Sequence, residues 1–229
     1  MNMQTLFPEA YNFKEQIAPK KRISELRILR TLGFLMHIYA YYLNYKVLDD
    51  KSLLFIYFTT WGIVMTLFTF AFLFIAIYTT NENYHKFCFI AFEATWTAQS
   101  VITIFFWLVL SWFFPEGFAT LYMIYVNLMI HACPFLMLSI DLFITKMLFS
   151  LSHIVFVMIP PIFYMFVSIY LSLGYDIVAY PVLTWKDYST IISVVFLVIL
   201  FVGSFFVGHY IGKRTFKKNE EASSLIRSE

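Results

Sequence analysis

"TIISVVFLVILFVGSFFVGHYI", residues 190–211, contains no charged side chain and is apolar on every face. A helix at a soluble surface keeps a polar back, so a segment greasy all round is buried in protein or in lipid. At 1.5 Å of rise per residue it is long enough to cross a hydrocarbon layer of about 30 Å. Residues 53–78 have the same character. The chain as a whole is 61% hydrophobic and 21% aromatic but only 13% charged, which places it among membrane proteins. Six candidate spans follow: 28–45, 53–78, 88–114, 119–144, 153–173 and 190–211.

All six are expected to be helices, because backbone amides in lipid need internal partners and the alternation of a barrel strand is missing. The expected fold is an all-α, polytopic bundle of six transmembrane helices. A segment at 1–27 precedes the 28–211 membrane domain and a tail at 212–229 follows it. Lysine and arginine set orientation. Lys46, Lys51 and Lys186 fall on one side, and the remaining 13 of the 16 basic residues, Arg30 among them, fall on the other. Both termini are therefore expected in the cytosol, with Lys217 and Lys218 meeting anionic headgroups. Trp112, Tyr180 and Trp185 read as interfacial anchors. The start of the chain lacks the order of a cleavable signal peptide. Cys88 and Cys133 fall at different depths and read as free thiols. A net charge of +2 gives no basic field for nucleic acid.

Ionisable groups inside such spans ask for a reason, since each costs about 2.5 to 3.5 kcal/mol at mid-membrane. Glu93 and Asp141 fall near the cytosolic ends of their spans, where they are expected to hold helices together, sharing a proton or pairing with Lys146 or His85. A proton or ion site is the alternative. His131 lies deeper, about 18 Å into the fourth span. Asn127 precedes it by one turn on the same face, and Pro134 should bend the helix beside it. His37, midway along the first span, is a candidate partner. His37, His131 and His209 share no helix face, so no metal and no cofactor is expected.

A second stretch, "YFTTWG" at 57–62, places Thr59 and Thr60 about 10 Å below the lumenal surface. "YFTTWG", a histidine some seventy residues on, "FLMLSIDLF" at 135–143 and the pair Tyr180–Pro181 together resemble the androgen-induced gene 1, FAR-17a and rolling stone-like family of six-span membrane proteins. The resemblance covers roughly residues 30–211. It implies an intramembrane threonine hydrolase acting on fatty acid esters of hydroxy fatty acids, with Thr59 as nucleophile and His131 as base. Thr60, Asn127 and His37 would support the pocket, and membrane lipids and the lipid ester would be the partners. A histidine can take the threonine proton during attack, and an acyl-enzyme divides ester hydrolysis into two steps. The endoplasmic reticulum or plasma membrane is the expected location. Two other classes stay open: a non-enzymatic membrane assembly or signalling protein, and a small proton-coupled transporter resting on Glu93, Asp141 and the Pro160–Pro161 break in the fifth span.

Overall fold

The computed structural model describes residues 12–227, with side chains described up to 214. The expected contacts of Lys217 and Lys218 lie outside the described side chains. The described residues form nine α-helices joined by turns and short 3-10 segments, with no strand among them. They are α1 (Phe13–Ile17), α2 (Ile23–Val47), α3 (Phe58–Ala76), α4 (Glu82–Leu108), α5 (Leu121–His131), α6 (Cys133–Thr145), α7 (Ile154–Val157), α8 (Ile159–Tyr175) and α9 (Tyr188–Arg227). Four stretches are long and apolar enough to cross a membrane: Phe58–Ala76, Glu82–Trp112, Leu151–Tyr175 and Tyr188–Arg214. A fifth exists if α5 and α6, bent by 42°, act together. α2 has the length for a span, but Arg30, His37, Asn44 and its tyrosines lower its apolarity below that of the other helices.

Local chemistry explains most boundaries. The Asn81 side chain accepts from the Tyr84 amide and caps α4, and Thr120 accepts from Met123 to cap α5. Pro134 sits in the first turn of α6, where its missing N–H costs nothing inside the new helix but interrupts the ladder from α5, so the expected bend falls at Ala132. Pro160 and Pro161 likewise open α8, just past the break at Met158. Lys146 and Asp176, both with φ of 58°, end α6 and α8 in the left-handed conformation.

α4 is the axis. Every residue from Phe92 to Ile102 is buried, so this helix is surrounded on all sides, by α3, α6, α7 and α9 among others. Its polar run, "EATWTAQS" at 93–100, finds partners inside the protein for all but the Gln99 side-chain oxygen. Thr95 and Thr69 hydroxyls bond at 2.8 Å, Thr97 donates to the Glu93 carbonyl at 2.7 Å, and Gln99 Nε2 donates to Thr66 Oγ1 at 2.8 Å. Gly62 on α3 lets α4 approach: a Cβ there would lie 2.4 Å from Ile102 Cδ1.

One end of the bundle is closed by buried charge, and here the sequence expectation for Asp141 and Glu93 is corrected. Asp141 takes neither Lys146 nor His85. Arg30, which reads from sequence as a topology residue, turns inward: Nε meets Asp141 Oδ2 at 2.8 Å and one terminal nitrogen meets Oδ1 at 3.0 Å. The same guanidinium donates to the carbonyls of Leu73 (2.8 Å) and Ile17 (2.6 Å). Both carbonyls belong to last turns of helices, where no intrahelical donor remains. Glu93 instead pairs with His153 Nδ1 at 2.6 Å and accepts from the Ser150 amide at 2.7 Å. His85 Nε2 lies 3.1 Å from the Ala76 carbonyl, which its N–H caps.

Removing one partner of a buried pair leaves the other charge uncompensated, at a cost of about 3 to 5 kcal/mol, whereas replacing both by apolar groups is far milder. Asp141→Ala should therefore lower the unfolding temperature of the detergent-solubilised protein sharply, and Arg30→Met combined with Asp141→Leu should recover a large part of the loss. Equal destabilisation by the single and double variants would mean that the pair's geometry, and not its charge balance, holds this end.

Candidate functional site

Away from this charged layer, α8 and α9 are less covered along their length than the other spans. α8 and α9 carry span-length windows only 17% and 22% buried, against 67% for the span that contains α4. Between them, the first turn of α3 and the later half of α4 lies a cleft with about 850 Å³ of atom-free space, part of it open to the surroundings. Its wall is apolar, with Ile102, Phe105, Leu197 and Phe201 typical of it, and no charged side chain lines it.

The few polar groups gather where the first turn of α3 meets the loop before α9. Thr59 lines the cleft, and its amide donates to the Tyr180 hydroxyl at 3.4 Å. Tyr180 packs edge-on against Tyr57 and Tyr164, and Tyr164 donates to the Ile56 carbonyl at 2.7 Å. Trp185 Nε1 donates to Ser168 Oγ at 2.9 Å, tying the loop to α8. Ser172 Oγ donates to the Thr184 carbonyl at 2.5 Å as a second tie. The loop holds its own shape through carboxylates. Asp187 accepts from Thr184, Ser189 and Thr190, and Asp176 pairs with Lys186.

The candidate residues divide between different environments. Thr59 and Thr60 are one residue, about 100°, apart on α3. Thr60 faces away from the cleft, fully buried, and accepts from Asn44 Nδ2 at 2.8 Å. His131 does not line the cleft. Its imidazole stacks on Phe106 with centroids 3.5 Å apart and planes 5° from parallel, and Phe106 is itself a lining residue. One phenyl ring thus separates the histidine from the space that Thr59 faces, and among the described residues the two share no hydrogen bond. Asn127 donates to the Gly117 carbonyl at 2.8 Å and secures the 115–118 turn instead of joining His131. His37 donates Nδ1–H to the Gly33 carbonyl at 2.5 Å, one turn back on its own helix.

Among the described residues three buried side-chain polar atoms have no partner: His37 Nε2, Gln99 Oε1 and His131 Nδ1. Thr103 donates to the His131 backbone carbonyl at 2.5 Å, so that carbonyl is satisfied while the ring Nδ1 is not. Among the described residues no three His, Cys, Asp or Glu side chains gather as metal ligands, and Cys88 and Cys133 are both free thiols.

Sequence spacing did not reveal Tyr164, Ser168 or the inward role of Tyr180. The one legible signal was the density of tyrosine, tryptophan and serine in 164–185, on either side of the last loop. No protein-family model, curated protein or solved structure matches the chain.

An unpaired buried carbonyl oxygen is destabilising. Gln99→Met removes it with little change of volume, and Thr66 keeps its own bond to the Gly62 carbonyl. The lost Nε2 bond to Thr66 and the relieved oxygen should roughly offset, leaving the unfolding temperature near that of the wild type; a drop of several degrees would mean that the oxygen too has a partner, such as a bound water. The Asp187 carboxyl is held below the usual carboxylate range by the Ser189 and Thr184 hydroxyls, and that of Asp176 by Lys186. Such groups stabilise the loop above their unfolded pKa, and the contribution is lost as pH falls through the lowered values. Acidification should therefore loosen the loop and change the Trp185 fluorescence, taken as the difference between wild type and Trp185→Phe. Asp187→Asn should abolish most of that pH dependence.

Proposed function

We propose that this chain is an intramembrane lipid-ester hydrolase that takes substrate sideways from the bilayer into the apolar cleft. The proposal takes the bundle as six spans with both termini in the cytosol, in the endoplasmic reticulum or the plasma membrane. The observation that carries it is a threonine on the wall of a cleft that is otherwise apolar, beside a tyrosine hydroxyl. In the reaction, Thr59 Oγ attacks the ester carbonyl carbon while a base takes its proton. The carbonyl oxygen becomes an oxyanion, the alkoxide leaves as the protonated alcohol, and water then cleaves the acyl-threonine. The Tyr180 hydroxyl accepts from the Thr59 amide, which leaves its own hydrogen available to donate to that oxyanion. His131 serves as base once the Phe106 ring turns out of the stack that now covers it.

The substrate class, fatty acid esters of hydroxy fatty acids, rests on the family resemblance. The neutral lining suits it, because an ester has no charge to leave unpaired in an apolar wall. A second reading, a lipid-holding membrane protein without chemistry, is favoured by the same stack: His131 packed flat on Phe106 behaves as a core side chain. No observation adds weight to the transporter, since Asp141 and Glu93 both have buried partners at the closed end.

The two readings part on a turnover assay with purified protein and a branched fatty acid ester. Thr59→Ala and His131→Ala should each abolish measurable hydrolysis and labelling by an acylating probe, while Tyr180→Phe should lower turnover by about 10²-fold, the loss of one oxyanion donor. Wild-type activity surviving in Thr59→Ala would remove the nucleophile assignment. Absence of turnover in a folded, lipid-binding wild type would leave the second reading.

A further inference from the structure

The cleft has a definite depth. On α4, at the start of α8 and on α9 the lining residues nearest the closed end are Val101, Met158 and Phe201, while α3 contributes only Phe58 and Thr59 from its first turn. Ser168, beside the polar mouth, lies ten residues from Met158, about 15 Å along the helix. That equals one leaflet of a hydrocarbon layer of about 30 Å. Beyond this floor the core is solid. Phe205 is fully buried against Phe149 at 5.8 Å, and Phe149 meets the Trp96 ring edge-on at 5.5 Å.

The cleft also has a side door. Ile162 and Val198 both line it and are 44% and 46% exposed, so the gap between α8 and α9 is not sealed by side chains. The only polar atoms of the lining belong to Thr59, Ser168, Tyr164, Tyr180, Trp185 and the main chain. A charged headgroup would have no counter-ion there. A mouth of hydroxyls, an apolar shaft and a lateral slit suit one occupant: a single neutral acyl chain, entering from the side with its ester at Thr59 and its methyl end toward Met158, past Phe201, whose ring packs on Phe58.

We infer that Met158 and Phe201 form a ruler that sets the acyl-chain length this protein accepts. The inference rests on the cleft being a lipid site, as in the proposed function, but it does not need the ester to be cleaved. Shortening either side chain deepens the shaft and admits more methylenes; enlarging Met158 makes it shallower. Because the chain arrives from lipid and not from water, a methylene that fits is nearly neutral and one that outgrows the shaft is excluded by packing.

The test uses the full chain in lipid nanodiscs and a homologous series of neutral fatty-acyl methyl esters with a diazirine at the chain end. Photolabelled peptides from the wild type should contain Met158 or Phe201, with labelling falling steeply once the chain outgrows the shaft. Met158→Ala and Phe201→Ala should move the optimum to longer chains, and Met158→Phe to shorter ones. Phe201→Ala removes a buried ring that packs on Phe58 and so can perturb folding; the Met158 pair, at a half-buried flexible side chain, tests the ruler without that ring. Labels spread evenly over the exposed faces of all helices, or a length optimum unmoved by both Met158 variants, would overturn the inference. Equal floor labelling by a two-chain phospholipid bearing the same group would overturn the single-chain occupant. Floor labelling without ester turnover would retain the ruler and discard hydrolysis; turnover indifferent to Met158 and Phe201 would do the reverse.

Discussion

A single guanidinium gathers four parts of this chain. Arg30, on α2, spends four N–H bonds on Asp141 of α6, the Leu73 carbonyl of α3 and the Ile17 carbonyl of α1. Because both side chains are fully buried, neither charge can be met by water, and the helices must stay where the planar fork requires them. The constraint is as much negative as positive. Any other helix arrangement would strand a charge in an apolar interior, at several kcal/mol. Glu93 and His153 repeat the device one layer away, fixing α4 to the 150–153 turn.

Rigidity in this layer permits sparser cover along α8 and α9. The closed end holds the aromatic core of Phe89, Phe92, Phe149 and Phe205, each fully buried. From it α8 and α9 run outward with little backbone contact between them, their separation spanned at the far end by Trp185–Ser168, Ser172–Thr184 and the tyrosine cluster. A bundle closed equally at both ends would leave no room for a ligand. One anchored at one end and bridged by side-chain hydrogen bonds at the other can keep a cleft open without collapsing its core. The proline breaks contribute, because a helix interrupted at Met158 can lean away from α4 beyond the break without straining its anchored part.

The helical character and the bends were legible in the sequence because they depend on local chemistry. Apolar length marks segments such as Phe58–Ala76, and Pro134 and Pro160 interrupt ladders wherever they fall. The partners of charged groups were not legible. Arg30 and Asp141 are 111 residues apart, and near a span end an arginine is equally consistent with facing the headgroups. α2 shows the same limit. Its tyrosines, His37 and Asn44 depress its hydropathy, yet Asn44 and His37 are buried against neighbours, so its polarity reports protein contacts as well as lipid depth. The run Glu93–Ser100 carried a usable signal: five polar side chains in eight residues of an apolar helix mark a segment enclosed by protein on every side.

The candidate pair shows why depth alone cannot assemble a site. Thr59 and Thr60 share a depth and a residue type, but 100° of helix rotation sends one to the cleft and the other to Asn44. His131 has a suitable depth, and a flat aromatic stack stands between it and the cleft. Its Nδ1 has no partner, so the stack holds the ring by packing while one ring nitrogen stays unpaired, and a buried polar atom in that condition is destabilised where it sits. A substrate hydroxyl or a water entering beside Phe106 would relieve that cost. The energetic bias therefore favours movement of Phe106 when the cleft is filled with a polar partner for His131. A purely apolar occupant provides no such relief, so any chemistry at this site would depend on the ester and its water and not on the chain alone.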